Sequence, residues 1–401
     1  MPTHTPGPRG IAAEELRRHN LSAVLDRVHL AGSISRSELA RQTGLNRSTI
    51  RDLLGELTEL GLVVEDSLTT SRTAGRPSAV ARARAAGAIV LAVELEVDFT
   101  AVATIGLGGH IFARAKVANP EGTGSPEQII DVLATLARPL LASLPSGHKL
   151  VGVGAAAAGL VRRGDGVLRD SPNRGWTEAP LGGMIAESLG IAHVRVANEA
   201  DVSAFAEHRR GSARNARHVI YISGEVGLGI GIINDGRPML GAAGYAGEAG
   251  HTVINPDGHS CRCGSTGCWE TEVGEEAFAR RAGIRWHDAV RQDLVDEVLR
   301  RAHTGDAQVF DAFRDVGRWL GIGVGNLINM FNPDLVVFGG FYQPLYPFLE
   351  QPMVEAAKRV ALSAPWDMCR MCGSELGLDA RLIGAAELVL ADVIANPPGA
   401  A

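Results

Sequence analysis

Three cysteines and a histidine fall within eighteen residues: His251, then Cys261-Arg-Cys263-Gly-Ser-Thr-Gly-Cys268. No other feature limits the fold as sharply, because the chain there must close on itself. Three thiolates and one imidazole form a tetrahedral donor set suited to zinc or another soft ion. Gly264 and Gly267 let the loop turn tightly around it. The alternatives are buried thiols or a disulfide, and five cysteines in 401 residues do not make a disulfide scaffold. Four protein donors leave no open coordination position. The expectation is therefore one structural zinc per protomer, held by His251, Cys261, Cys263 and Cys268. Cys369 and Cys372 form an isolated Cys-x-x-Cys and read as ordinary thiols.

The length predicts two to four domains at roughly 100–200 residues each. A net charge of −6 excludes a uniformly nucleic-acid-coating protein, and 45% apolar with 21% charged residues excludes wholesale disorder. The first twenty residues carry Arg9, Glu14, Glu15, Arg17 and Arg18 and no apolar core, so no secretory signal is read. The longest apolar run, 150–161, is too short to span a bilayer. A cytoplasmic, multidomain protein without a membrane partner is expected. Charge is uneven along it: residues 1–85 hold twelve arginines against nine acids, and the remainder is acidic. Only the head is expected to meet an anionic partner.

Within that head, Leu16, Leu21, Val24, Leu25 and Val28 fit a helical stripe. A short helix over 37–43, Gly44, and a second helix over 47–60 capped by Asn46 have helix-turn-helix spacing. The second helix opens with Arg47, Ser48, Thr49 and Arg51, the end that faces base edges in a major groove. A strand over 62–65 and a loop containing Arg76 would form a wing. Arg36, Arg47, Ser48, Thr49, Arg51 and Arg76 are the candidate DNA contacts. A small helical packing domain with surface arginines is the plain alternative. From Ala88 onward, strands near 88–94, 100–105, 110–117, 150–156, 194–197, 218–223, 229–233 and 335–338 alternate with helices near 126–144, 200–209, 316–330 and 381–394. The body is thus α/β, with a weak two-fold recurrence of its strand-rich blocks.

Taken together these residues resemble the ROK family of repressors and sugar kinases, over nearly the whole chain. The resemblance rests on Ala246-Gly-Glu-Ala-Gly-His251 followed by the cysteine loop and Glu270. It is extended by Ser171-Pro-Asn-Arg-Gly-Trp176, Asn198-Glu-Ala-Asp201, Gly227-Leu-Gly-Ile-Gly231 and Asn332-Pro-Asp-Leu-Val-Val-Phe-Gly-Gly340. It implies an N-terminal winged helix-turn-helix (1–85, with linker) and a two-lobed, actin-like, RNase H-like sugar-kinase body. The first lobe would span 86–197, completed by a C-terminal helix over about 381–401, and the second 198–380 with the zinc loop. It further implies a monosaccharide in the cleft, touched by Asn173, Asn198, Glu199, Glu248, His251 and Glu270.

Whether such a body phosphorylates its sugar turns on the phosphate loops. The first reads Glu94-Leu-Glu-Val-Asp98, carboxylates where Gly and Thr would approach phosphate. The second reads Gly224-Glu-Val-Gly227, and the family's catalytic Asp is replaced by Glu199. The expectation is a sugar-responsive repressor without catalytic residues, acting as a homodimer or homotetramer on operator DNA. The alternatives are a sugar kinase with an accessory head, and a constitutive DNA binder with a vestigial body. Lobe closure is expected to reach the heads through the 66–87 linker.

Overall fold

Cap residues set where the head's helices begin. The computed structural model describes residues 8–66, 79–119, 124–224, 227–285 and 291–397. Helix α1 (Pro8–Ala31) leads into strand β1 (Ser33–Ser35). The Ser35 hydroxyl accepts the Glu38 N–H at 3.2 Å and starts α2 (Arg36–Thr43), which Gly44 ends at φ 73°. Asn46 Oδ1 accepts the Thr49 N–H at 2.9 Å and starts α3 (Arg47–Glu59). Strands β2 (Val63–Asp66) and β3 (Val80–Ala83) complete an antiparallel sheet in the order β1-β3-β2. A winged helix-turn-helix results. The expected wing tip with Arg76 lies outside the described residues.

The body holds two five-stranded sheets of matching layout. The first uses β4 (Ile89–Leu95), β5 (Phe99–Gly106), β6 (His110–Ala118), β7 (Leu150–Ala157) and β11 (Val194–Asn198) in the order β11-β7-β4-β5-β6. Helix α4 (Pro126–Ala142), opened by a Ser125/Gln128 capping box, covers one face. The stretch after β7 carries a small sheet of β8 (Leu160–Val161), β9 (Leu168–Ser171) and β10 (Trp176–Ala179), then α5 (Leu181–Leu189). Helix α6 (Glu199–Arg210) follows β11 directly.

The second sheet uses β12 (Val219–Gly224), β13 (Leu228–Asn234), β14 (Arg237–Pro238), β15 (Leu335–Gly340) and β16 (Arg370–Gly373), ordered β14-β13-β12-β15-β16. In both sheets an antiparallel three-strand meander continues into parallel strands. The recurrence that the sequence hinted at is a duplicated topology. Helices α7 (Trp269–Val273), α8 (Glu275–Arg281), α9 (Arg291–His303), α10 (Ala307–Phe331), α11 (Tyr342–Val360) and α12 (Ser363–Met368) belong to this lobe. The sequence reading missed α11, whose internal Pro347 and Pro352 blur its pattern, and began α10 late. Helix α13 (Ala380–Ala395) returns to the first sheet, as expected. No helix among the described residues is long and apolar enough to cross a membrane.

One expectation needs correcting. The head is not merely tethered by a linker. Leu21, Val24, Leu25 and Val28 of α1 share a hydrophobic core with Leu107, Val389, Leu390 and Val393 of the body. Each such side chain is worth roughly 1.5–3 kcal/mol when buried, so head and first lobe pack as one body.

Candidate functional site

The turn from β11 into α6 puts polar groups at the bottom of the cleft. Asn198 caps α6, its Oδ1 accepting the N–H groups of Ala200 (2.8 Å) and Asp201 (3.3 Å). Its Nδ2 donates to Gly159 O at 3.1 Å and to Glu199 Oε2 at 2.6 Å. The cap thereby aims Glu199 into a cavity of about 360 Å³ between the lobes. Asn173, Asn198, Glu199, Glu248, His251 and Glu270 all line this cavity. Six residues spread over nearly a hundred positions of sequence thus meet in one place.

The cleft is rich in acid. Burial, reinforced by Glu96 and Glu248, pushes the Glu199 carboxyl up to about 8. Burial also raises Glu248, against the pull of His251. Asp201, buried behind the cap, is pushed up to about 8 by burial and by Glu248. With values near 8, Glu199 and Asp201 keep their protons at neutral pH, so Glu199 can donate as well as accept a hydrogen bond.

The cysteine loop supplies the cleft's other wall. The His251, Cys261, Cys263 and Cys268 donor atoms all lie within 4.8 Å of one another. Cys263 Sγ is 3.7 Å from Cys268 Sγ, and Cys261 Sγ is 3.6 Å from His251 Nδ1. A zinc tetrahedron with bonds of about 2.3 Å to sulfur and 2.05 Å to nitrogen has edges of about 3.8 and 3.6 Å. The donor set fits such an ion. At Gly267, φ 76°, an added Cβ would stand 1.7 Å from Asn255 O, so the loop closes only with glycine there. Glu270 Oε1 lies 2.8 Å from Cys261 Sγ and 3.4 Å from His251 Nδ1. The loop and the cleft acid are therefore one construction.

Three contributors were not among the expected sugar contacts. Glu96 lines the cavity. Arg262, between two of the cysteines, crosses the cleft mouth and donates to Asn173 Oδ1 at 2.8 Å. Arg381 of α13 donates to Glu94 Oε1 at 2.8 Å and sits 3.5 Å from Glu96 Oε1. The acids of the first phosphate-loop position are thus not bare: a buried guanidinium holds them. Burial still raises Glu94 to about 6, against Arg381. No spacing rule could link residues nearly 290 positions apart. Glu225 lies outside the described residues.

On the head, Arg47 and Ser48 are exposed at the start of α3, and Thr49 is half-buried. Ser48 donates to Asn46 Oδ1 at 2.6 Å, so its hydroxyl belongs to the cap. Arg51 pairs with Asp52 at 3.0 Å. Arg36 donates from Nε and Nη2 to the two Glu65 oxygens and braces α2 against the wing. Arg47 has no carboxylate partner among the described residues. Cys369 and Cys372 are half-buried, the Cys369 thiol pushed up to about 12 by burial, as ordinary thiols would be.

A model of the ROK family matches residues 90–392, and one of the IclR helix-turn-helix domain matches 23–67. The xylose repressor of Bacillus subtilis is 28% identical over 376 residues, covering 94% of this chain and 96% of that protein. The glucokinase of Streptomyces coelicolor is 30% identical over 295 residues, 70% of this chain and 90% of that one. A crystal structure of a ROK family transcriptional regulator, a homologue of the E. coli Mlc protein, superposes with a TM-score of 0.76 at 24% identity. That match covers 95% of this chain and 97% of the other, a likeness of fold.

Proposed function

The chain belongs to the ROK family, and from that premise we propose that it is a DNA-binding transcriptional repressor whose body takes a monosaccharide in its cleft without phosphorylating it. The observation that carries the reading is the joining of a winged helix-turn-helix to an acid-lined cleft through one hydrophobic core. The similarity to a xylose repressor along almost the whole chain supports it, and makes an aldopentose the first effector to try. Residues 1–85 form the DNA-binding unit, 86–197 with 381–401 the first lobe, and 198–380 the second.

Asn173, Asn198, Glu199, Glu248, His251 and Glu270 are the proposed sugar contacts. Carboxyls suit this task because one oxygen pair can serve two adjacent hydroxyls. The cysteine loop holds one structural zinc, which fixes the wall carrying His251 and Glu270. Arg47 and Arg51, with Thr49, face the DNA, and two copies in a dimer would meet half-sites about 10 bp or a multiple apart.

The kinase alternative fits less well. Glu94 at the end of β4 and Glu96 in the turn after it, tied to Arg381, stand where a phosphate-binding loop needs small residues and open backbone N–H groups. The test is an anisotropy titration of a duplex selected by this protein from a random pool, with D-xylose and D-glucose added at fixed salt. The same sugars are assayed for sugar-dependent ATP hydrolysis. A sugar-shifted DNA affinity with no hydrolysis supports the reading; robust phosphorylation abolished by Glu199→Gln refutes it.

A further inference from the structure

Two helices run from the cleft toward the head. Helix α6 begins at Asn198 and Glu199, which line the cavity, and ends at Arg209 and Arg210, about 16 Å away at 1.5 Å per residue. Helix α13 begins beside the cleft at Arg381, which holds Glu96, and carries Glu387 about 9 Å further along. The pair has no slack between its parts. A Cβ on Gly384 of α13 would meet Val202 O of α6 at 2.0 Å, and one on Gly154 of β7 would meet Ala385 O at 1.8 Å. On its other side, a Cβ on Gly231 of β13, in the second sheet, would meet Ala200 O of α6 at 2.3 Å. Helix α6 is thus in backbone contact with both sheets' elements, and a change in the angle between the lobes must be taken up along it.

The far ends of both helices meet α1 in a buried polar cluster. Glu387, 1% exposed, faces Arg210 Nε at 2.5 Å, Arg209 Nε at 3.3 Å and His29 Nε2 at 3.0 Å. Arg209 also reaches Asp26 Oδ1 of α1 at 2.7 Å. The ring of His29 is fully buried, and its Nδ1 accepts the Gly108 N–H at 3.0 Å, which directs Nε2 toward Glu387. Two of these pairs cross between head and body, Asp26 with Arg209 and His29 with Glu387, and the two arginines join Glu387 on the body side. Pure adhesion between the two could have used apolar side chains, and the adjoining core does. A buried polar cluster instead has few satisfying arrangements, which is what a two-position joint needs. Beside it an open surface groove runs between α1 and the body, lined by His19, Ser22, Asp26, Phe205, Arg209 and Ile394.

We propose that Asp26, His29, Arg209, Arg210 and Glu387 form the joint through which closure of the cleft resets the orientation of the head, with α6 and α13 as the rigid pair between them. This rests on the effector reading above. It moves the route of coupling from the linker to a packed contact. A sugar that binds better to the closed lobes shifts α6, the element touching both, and the joint passes that shift to α1.

The test uses the full chain and the variant Glu387→Gln, which keeps the shape but removes the charge shared by the two arginines. Binding of D-xylose and D-glucose is measured by calorimetry, duplex affinity by anisotropy, and hydrogen exchange over residues 14–31 with and without sugar. The expected result is sugar affinity within about twofold of wild type, while a sugar-dependent change in duplex affinity on the order of tenfold falls below about twofold. The sugar-induced change of exchange in α1 disappears with it. Asp26→Asn, at the open edge of the cluster, should act in the same direction and more weakly; it stands in if Glu387→Gln does not fold. A folded Glu387→Gln, or in its place a folded Asp26→Asn, that keeps the full sugar response overturns the joint while leaving the effector reading intact. A wild type that binds neither sugar overturns the effector reading and the joint with it.

Discussion

Replacing Arg381 with Met isolates the charge that holds the acids beside the cleft. Arg381, Glu94 and Glu96 have side chains only 6%, 5% and 3% exposed. The substitution keeps most of the volume and takes from the buried Glu94 carboxylate the guanidinium that bonds it. Breaking a buried pair in this way costs roughly 3–5 kcal/mol. With an unfolding entropy of about 2.1 cal/mol/K per residue, that lowers Tm by about 4–6 °C if the whole chain unfolds together. The sign of the pH dependence follows from Glu94. Burial already raises its pKa to about 6 against the downward pull of Arg381, and Glu96 pushes the same way as burial. Removing the arginine lets the folded-state value rise further, while the unfolded value stays ordinary. Between those two values the unfolded chain binds fewer protons than the folded one, so stability falls as pH rises. The variant's deficit should be largest at pH 8 and shrink toward pH 5, and Glu94→Gln in the same chain should recover part of it. Scanning calorimetry of wild type and variant across this range is the assay. A variant that melts within about 1 °C of wild type at pH 8, or a deficit that is flat with pH, refutes the reasoning.

Cys263→Ser should reduce zinc, measured by metal analysis, from about one per chain to a small fraction, and should weaken sugar binding because Glu270 and His251 lose their support; undiminished zinc rules out the assignment. Arg47→Ala should cost roughly 1–3 kcal/mol of duplex affinity if it makes a bidentate base contact, read by anisotropy against matched and mismatched duplexes. Arg36→Ala should instead lower the melting temperature of the head, and unaltered stability would return Arg36 to the DNA face. Glu248→Gln should bind the selected duplex as wild type does yet ignore added sugar; a full response in that variant would place the effector outside this cleft.

The head was legible because its signals are local. Gly44 and Asn46 act within a turn of where they stand, and the ends of α2 and α3 fell within a residue of the expected place, whereas α1 begins eight residues ahead of Leu16, the first apolar position of its expected stripe. The cysteine loop was legible for the same reason, since its donors lie within eighteen residues. The six cleft residues came from the motif match, and the fold brings all six to one cavity. What could not be read was pairing across the chain. Arg381 with Glu94, Arg262 with Asn173, and Glu387 with His29 are unions of residues with no shared period or motif. A buried arginine in an apolar helix such as α13 hints that a partner exists without saying where. The shared core of head and first lobe was hidden likewise, because an apolar stripe on α1 does not reveal which surface covers it.

That shared core also sets an order of events during synthesis. The α1 face that carries Leu21, Leu25 and His29 is covered by Val389, Leu390 and Glu387, and His29 and Glu387 are 358 residues apart. A ribosome adding about 5–20 residues per second needs some 20–70 s to travel between them. Throughout that interval a nascent head lacks the surface that completes it. The head therefore reaches its finished setting only when α13 has emerged, so no head is completed ahead of the body it packs against.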